Sequence, residues 1–363
     1  MILPIVTRKP TKASGAVSCH RKKSADTSKI ILVADLCCGM GGLSLAAQQL
    51  GMKVVAGVDL NSAALRTFKK NFPDAESMEG SVRSSKILSK ISGLFTTGGV
   101  TLPSVIVSGP PCQGFSMAGS RNPSDPRNQI LLAVARAITK LKPQIALIEN
   151  VSMVLAEEHK KRLKNFERTL TRGDYFLEKV LLDASEFGVP QRRKRAFFLI
   201  TKNKIDKDEF LRRLTLLKQA PVNTQTALRG LSTPTNRPKD YDDEADCHGV
   251  PNHFSMWHSK RVINKIALIK PGTGPMSYRR LHPLKPANTL FSGHRAPPAH
   301  FSEPRSITAR EAARLQGFPD DFRIYGSFGK QMEQVTNAVP PPLAQVVLRT
   351  LVEIVALAEK DHG

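Results

Sequence analysis

One cysteine of this chain lies in a loop that two prolines restrict. Residues 105–116, VIVSGPPCQGFS, pass from an apolar β-branched stretch into a glycine, two prolines and Cys112. Because proline fixes the backbone dihedral φ, the two prolines limit where the thiol can lie. One interpretation is a small packed residue at a strand end, which is common for free cysteine. The other is a nucleophile whose position must not vary.

A second group of residues surrounds a glycine-rich turn. The stretch DLCCGMGGLS supplies Gly39, Gly41 and Gly42, and Asp59 ends the next apolar run, where a carboxylate can bind a ribose diol. Ser44 stands at the third glycine position of GxGxxG, which disfavours a pyrophosphate cofactor. The glycines alone are equally compatible with an ordinary tight turn. Together with Asp59 they favour S-adenosylmethionine as the cofactor.

The elements around these residues alternate between strand and helix patterns. Such alternation predicts an α/β fold with a doubly wound, mostly parallel sheet. The predicted strands are IILVADL, KVVAGVDLN, SVIVSG, QIALIEN, YFLEKVLLDA and RAFFLIT. The predicted helices are LSLAAQQLGM, SAALRTFKKNF, ILLAVARAITKL and PLAQVVLRTLVEIVALAEK.

Composition changes between about residues 205 and 300. This stretch is rich in proline, glycine, histidine and charge and has little helical periodicity, which predicts a smaller irregular domain inserted before the C-terminal segment. The predicted organisation has three parts: a basic mobile arm (1–28), a catalytic unit (29–204 with 330–363), and the inserted domain with its hinge (205–329).

Charge indicates the kind of partner. Lysine and arginine number 54 against 31 acidic residues, a net charge of +23, which favours a polyanion. Nucleic acid is preferred over an anionic membrane surface, although scattered basic residues can also form a solvated face. No apolar run approaches the roughly 18 residues that span a bilayer, and the N-terminus lacks the charge order of a signal peptide. We therefore expect a cytoplasmic protein without a membrane partner.

The cysteines indicate neither disulfides nor a metal. There are five, without CxxC spacing, which predicts a reducing compartment. Cys247, His248, His253 and His258 could be considered as ligands, but one sulfur at this spacing matches no common zinc pattern. Contacts to a nucleic-acid groove explain these histidines and Trp257 better.

Seven motifs in order resemble the DNA (cytosine-5)-methyltransferases. They cover most of residues 31–200 and 304–344, and the resemblance implies a Rossmann-like fold that uses S-adenosylmethionine to methylate cytosine in duplex DNA. The motifs are DLCCGMGGLSLA, GVDLN, GPPCQGFS, ENV at 149–151, QRRKR at 191–195, TAREAARLQGFPDDF and TNAVPPPLA.

The resemblance implies four catalytic residues. Cytosine C5 is too weak a nucleophile to attack a sulfonium methyl, so a thiolate, here Cys112, first adds to C6. Glu149 corresponds to the glutamate that protonates N3. In QRRKR, strand alternation places Arg193 and Arg195 on one face, where they could bind the cytosine O2 and order the catalytic loop.

The resemblance also implies a cofactor site with departures from the family pattern. Phenylalanine is usual at Cys37, aspartate at Ser81 and glycine at Thr336, so cofactor contacts should be reshaped while the reaction centre is intact. The expected cofactor-binding residues are Asp35, Cys37, Gly39, Gly41, Gly42, Asp59, Leu60, Ser81, Pro110 and Asn337.

The inserted domain would then be the target recognition domain. The other two basic residues of QRRKR, Arg192 and Lys194, are expected to be solvated or to face phosphate. The expected DNA-binding residues are Gln113, Ser116, Gln191, Arg279, Arg280, His294 and Arg295. We expect a monomer on double-stranded DNA, with a cognate restriction endonuclease as a possible partner.

Two alternatives remain open. A tRNA cytosine-5 methyltransferase would use the same chemistry, but the cysteine–phenylalanine–threonine run of such enzymes is not found here. A catalytically silent DNA-binding regulator would have the same fold, but intact Cys112, Glu149, Arg193 and Arg195 argue against it.

Overall fold

A computed structural model describes residues 30–97, 99–111, 129–236, 249–275, 278–291 and 297–360. The predicted arm 1–28 lies outside these residues. So do Cys112, Gln113, Ser116, Cys247, His248, His294 and Arg295.

The described residues form strands and helices that alternate through the first half of the chain. The strands are β1 (Leu32–Leu36), β2 (Lys53–Asp59), β3 (Glu76–Glu79), β4 (Thr96–Thr97), β5 (Val100–Thr101), β6 (Ser104–Ser108), β7 (Ile145–Val151), β8 (Phe176–Asp183), β9 (Lys194–Thr201), β10 (Thr235–Asn236) and β11 (Phe254–Ser255). The helices are α1 (Gly42–Gln49), α2 (Ser62–Asn71), α3 (Ser85–Leu94), α4 (Ile130–Leu141), α5 (Lys160–Thr171), α6 (Lys207–Leu216), α7 (Thr224–Leu228), α8 (Lys260–Ala267), α9 (Ala309–Leu315), α10 (Phe328–Asn337) and α11 (Pro341–Lys360).

Seven strands form the central sheet in the order β3-β2-β1-β6-β7-β9-β8. The first five strands of this order run parallel, and β9 is antiparallel to both of its neighbours. The predicted doubly wound, mostly parallel α/β sheet is thus confirmed. Chain order reverses between β1 and β6, and in such sheets the crevice at the carboxyl ends of the two strands is where ligands bind.

Both faces of the sheet are covered, which explains why its central strands are uninterrupted apolar runs. Every residue of β1 and β6 is buried. Side chains of α1, α6 and α11 join the core on one face, and those of α3, α4 and α5 join the core on the other.

The long C-terminal helix belongs to this core. By length and composition alone the stretch Phe328–Ala358 could cross a membrane, but half of its most apolar window is buried within the protein. Leu343, Leu348 and Leu351 are fully buried, and α11 packs against α1 and α6. These contacts are those of a core helix in a globular domain.

Among its described residues, the segment predicted to be irregular (205–300) contains three helices, α6, α7 and α8. The sequence analysis missed them because they are only ten, five and eight residues long and lie between stretches rich in proline and glycine. Asp206 accepts hydrogen bonds from the backbone of Asp208 and Glu209 at the start of α6. Because α6 packs against α11, this helix joins the core that contains the C-terminal helix.

A buried arginine of α9, Arg310, forms hydrogen bonds to the inserted segment. The guanidinium of Arg310 donates to the carbonyls of Pro251 (2.8 Å), Pro319 (2.7 Å) and Phe322. Burial lowers the pKa of Arg310 to about 10. Backbone carbonyls therefore hold this charge in place, and they fix residues around 251 beside the motif that begins at Thr308.

Candidate active site

The glycine turn after β1 is held by the acid at the end of β2. Asp59 Oδ2 accepts a 2.7 Å hydrogen bond from Gly39 N, and Oδ1 accepts one of 2.8 Å from Asn61 N. A Cβ on Gly39, whose φ is 53°, would meet no atom within 4 Å, so this side of the turn is open. A Cβ on Gly42 would lie 2.2 Å from the carbonyl oxygen of Val339, so only glycine permits that close approach.

Three predicted cofactor residues line this end of the sheet. Leu60, next to Asp59, is 66% exposed, which is unusual for a leucine beside a buried strand. Gly80 N donates to the carbonyl of Asp59, which brings Ser81 to the same edge. Cys37 is half-buried with a positive φ of 66°, and its thiol has a raised pKa because of burial and nearby carboxylates. Cys37 is therefore a neutral thiol here.

Asp35 is a buried carboxyl group, and among the described residues only one of its two oxygens accepts a hydrogen bond. Ser44 Oγ donates to its Oδ2 at 2.7 Å, while Oδ1 has no hydrogen-bond partner among the described residues. Burial raises the pKa of Asp35 to about 7, and the charge of Asp59 acts in the same direction. This end of β1 therefore has a polar oxygen available, next to the open side of the turn.

Glu149 and Arg195 form a buried ion pair. Arg195 Nε lies 2.7 Å from Glu149 Oε1, and the side chains are 11% and 9% exposed. The sheet register brings them together: Glu149 lies opposite Phe197 on β9, and Arg195 is the diagonal neighbour on the same face. Burial raises the pKa of Glu149 above its ordinary value, although Arg195 and Arg193 oppose the shift. A carboxyl group that donates a proton near neutral pH needs a raised pKa of this kind.

The carboxylate of Glu149 also faces the start of the loop that carries Cys112. The position of a Cβ on Gly109 would be 4.0 Å from Glu149 Oε2, 3.9 Å from the carbonyl oxygen of Cys37 and 3.5 Å from Val339. The carbonyl of Cys37, the carboxylate of Glu149 and Gly109, three residues before Cys112, thus lie close together at the carboxyl ends of β1, β6 and β7.

Asn150 is a site residue that the motif analysis did not single out. It is 2% exposed, and its Nδ2 donates to the carbonyl of Pro110 at 3.2 Å. Its Oδ1 accepts a hydrogen bond from Val151 N. Asn150 therefore holds the first proline before Cys112, and its place directly after Glu149 was the available signal.

Residues 191–195 alternate between the interior and solvent. Gln191, Arg193 and Arg195 are buried, whereas Arg192 and Lys194 are exposed. This is the pattern that strand alternation predicts for QRRKR. It separates the three motif residues from the two basic residues that were expected to be solvated.

Arg193 bridges two distant segments. Its guanidinium donates to the carbonyls of Thr336 (2.8 Å) and Ala338 (3.1 Å), which flank Asn337, and to the carbonyl of Leu290 (3.5 Å). The base-binding role expected for Arg193 is not among these contacts. Asn337 itself is exposed at the end of α10.

Two residues expected at the DNA surface are instead interior. Gln191 is fully buried; its Nε2 donates to the carbonyl of Leu315 and its Oε1 accepts from Leu290 N. Arg280 is 8% exposed and donates to the carbonyls of His300 and Ile269, both at 3.0 Å. Because their polar atoms satisfy backbone groups, both residues hold loops together rather than face DNA.

Arg279 and the histidines of the insert have other positions. Arg279 is exposed, unlike its neighbour Arg280. His253 contacts Thr308 Oγ1 (3.0 Å) and the carbonyl of Ser232 (2.7 Å), and His258 contacts Ser306 Oγ. Among the described residues there is no group of three potential ligands that could hold a metal ion.

Comparisons with known proteins agree with this geometry. The family model described as C-5 cytosine-specific DNA methylase matches residues 31–353. The chain is 29% identical to Type II methyltransferase M1.HphI of Haemophilus parahaemolyticus, over 88% of this chain and 86% of that protein. It is 30% identical to Type II methyltransferase M.XorII of Xanthomonas oryzae, over 86% of this chain and 82% of that protein.

Solved structures show the same architecture. A DNA modification methyltransferase encoded within an E. coli prophage is 27% identical with a TM-score of 0.73, covering 90% of this chain and 99% of that chain. The S. pombe Dnmt2 methyltransferase is similar in fold, with a TM-score of 0.61 at 16% identity over 89% of this chain and 98% of that chain.

Proposed function

Because the chain belongs to the C-5 cytosine-specific DNA methylase family, and is therefore a DNA (cytosine-5)-methyltransferase, we propose that it methylates a cytosine flipped out of a specific duplex sequence through Cys112 and Glu149. The observation that carries the proposal is the buried Glu149–Arg195 pair, which lies beside the start of the Cys112 loop.

The proposed reaction begins at C6 of the cytosine. The Cys112 thiolate forms a bond to C6, the electrons of the C5–C6 double bond form a C4–C5 double bond, and those of the C4–N3 double bond move to N3, which takes the proton of Glu149. C5 then has the electron density to accept a methyl group, which S-adenosylmethionine supplies when bound. A water molecule takes the C5 proton, departure of the thiolate restores the C5–C6 double bond, and N3 returns its proton to Glu149.

The positions of two side chains suit these steps. Arg195 holds Oε1 of Glu149, so Oε2 is directed toward Gly109 and the Cys112 loop. Asn150 fixes the carbonyl of Pro110, two residues before Cys112 in sequence. A displacement of a reacting group by about 1 Å can cost roughly 100-fold in rate. Fixing this part of the backbone therefore favours the addition step.

The cofactor proposal rests on the turn after β1. The open side of Gly39, the exposed Leu60 and the available Asp35 oxygen suit an adenosine and a charged amino-acid portion better than a pyrophosphate. Asp59 already accepts two backbone hydrogen bonds, so a ribose diol would use its remaining lone pairs. Asn337, Ser81 and Pro110 complete the proposed set.

We further propose that sequence choice lies in the insert. Since α6 packs against α11, this recognition segment begins after α6 and ends before α9. Exchanging it for the segment of a relative with a different site should move the methylated sequence with it. An active hybrid that still methylates the original sequence would place recognition elsewhere.

The relatives are named Type II methyltransferases. We propose that this chain acts as a monomer on double-stranded DNA in the cytoplasm, as the modification partner of a restriction endonuclease.

One experiment tests the reaction directly. Tritiated methyl transfer from S-adenosylmethionine should label DNA and not tRNA. DNA with 5-fluorocytosine at the mapped target should form a denaturation-resistant complex, because fluorine cannot leave as a proton. Labelling of tRNA alone would favour the tRNA methyltransferase, and no labelling would favour a silent regulator. A denaturation-resistant complex that still forms with Cys112→Ser would exclude Cys112 as the nucleophile.

A further inference from the structure

One stretch of the inserted segment has charge of only one sign. Residues 247–302 include eight lysines and arginines and no aspartate or glutamate, although the whole chain has 31 acidic residues. Within this stretch no carboxylate neutralises the positive charge. This part of the molecule therefore attracts a polyanion.

Helix α8 places part of this charge in solvent. Ile266 is its one buried residue, and Lys260, Arg261 and Lys265 are exposed. Lys265 lies over the ring of Tyr278 at 5.0 Å, and none of the three has a carboxylate partner among the described residues. Several surface cations elsewhere are paired: Lys90 with Glu76, Lys160 with Glu157, Lys330 with Glu333, and Arg349 with Glu353.

The single tryptophan of the chain lies just before this helix. Trp257 is 77% exposed. The backbone on its C-terminal side is fixed, because His258 Nε2 contacts Ser306 Oγ (3.1 Å) and accepts from Ser306 N (3.2 Å), and Ser259 caps α8. Leaving a large apolar ring in water costs free energy, so a fixed, exposed tryptophan indicates a contact surface.

We propose that Trp257, Lys260, Arg261 and Lys265 form one DNA-binding surface, in which the cations bind phosphates and the indole stacks on a base. The inference rests on the proposed function and names residues for its recognition step. Unneutralised cations match the phosphate backbone, and bases stack well on aromatic rings. Flipping a cytosine breaks base stacking, so an indole that covers an exposed base face offsets part of that cost.

Because the chain has one tryptophan, its fluorescence reports on Trp257 alone. The experiment titrates the full-length protein with a duplex that carries the mapped methylation site. Stacking on a base should quench the emission at saturating DNA. Unchanged emission at saturation would overturn the stacking assignment.

Variants separate the two kinds of interaction. Trp257→Ala should weaken duplex binding by about 10-fold or more without changing its salt dependence, and Trp257→Phe should recover most of that loss. Lys260→Gln with Arg261→Gln should reduce the slope of log affinity against log salt by about 1 for each phosphate that the protein no longer binds. The double variant should still show quenching at saturating DNA.

Arg349→Gln is the matched control, since it removes a cation that is ion-paired on α11. It should leave affinity, salt slope and quenching unchanged. If the wild-type protein methylates DNA while the Trp257 and α8 variants bind like this control, the surface is wrong and the proposed function stands. If the wild-type protein methylates no DNA, the proposed function is wrong and this inference falls with it.

Discussion

The Nε atom of Arg195 lies 2.7 Å from Oε1 of Glu149, across two strands whose antiparallel register makes the residues diagonal neighbours. Two effects therefore act on one carboxyl. Burial raises its pKa, and the guanidinium opposes that shift. The balance keeps Glu149 protonated at a higher pH than an exposed glutamate, while Arg195 fixes its orientation.

Glu149→Gln should reduce methyl transfer by roughly 100-fold or more, the usual scale for loss of a general acid. The amide can still accept the hydrogen bond from Arg195, so the affinities for DNA and S-adenosylmethionine should remain near wild type. Single-turnover transfer of tritiated methyl, with binding measured by calorimetry, checks both. Turnover near wild type would mean that N3 is activated by another group.

Arg195→Gln should shift the alkaline limb of the pH–rate profile to higher pH. Protonated Glu149 is the active form, so the rate falls as pH rises through its pKa, and removal of the opposing cation raises that pKa further. Single-turnover rates across the neutral and alkaline range measure the limb. The exposed neighbour Arg192, changed to Gln, is the control and should leave the limb in place. If the alkaline limb of Arg195→Gln lies at the same pH as that of the wild type, the Glu149–Arg195 pair does not control the rate-limiting protonation.

Arg193→Lys should destabilise the protein by about 2 to 4 kcal/mol. A lysine cannot reach the carbonyls of Leu290, Thr336 and Ala338 together, so it leaves buried acceptors unpaired. Cofactor affinity should fall as well, since two of these carbonyls flank Asn337. Urea unfolding and cofactor titration measure the two effects. Arg192→Lys, at the exposed adjacent position, should change neither; equal effects from the two variants would contradict the bridging role.

Asp35→Asn should gain stability relative to wild type as pH rises from about 5 to about 8. The native pKa of Asp35 is about 7, above its unfolded value of 3.8, so the stability associated with its proton is present at low pH and is lost as pH rises through about 7. The asparagine has no such loss and can still accept from Ser44. The relative gain between pH 5 and pH 8 should be about 2.5 kcal/mol, because only the part of the titration between pH 5 and the native pKa of about 7 falls in this range.

Urea midpoints for the wild-type protein and for Asp35→Asn at the two pH values measure this difference. A constant difference in unfolding free energy between the two proteins would show that Asp35 does not titrate in this range.

Local features of the sequence determined much of the fold. Each central strand is a short apolar run and each flanking helix has its own periodicity, so their alternation predicted the parallel sheet, which the strand order confirms. The alternation of buried and exposed residues from Gln191 to Arg195 followed from strand geometry in the same way. The family resemblance rests on contiguous motifs, and the family match over residues 31–353 confirms it.

Tertiary structure alone decided which polar residues are interior. Gln191 and Arg280 resemble surface residues by type, but backbone groups far away in sequence accept their hydrogen bonds and bury them. The bridge from Arg193 to Leu290 and Thr336, and the packing of α6 on α11, likewise join segments that no local pattern connects. Burial depends on contacts between residues that are far apart in sequence. The local sequence around an arginine therefore does not determine whether backbone carbonyls or water will surround its guanidinium.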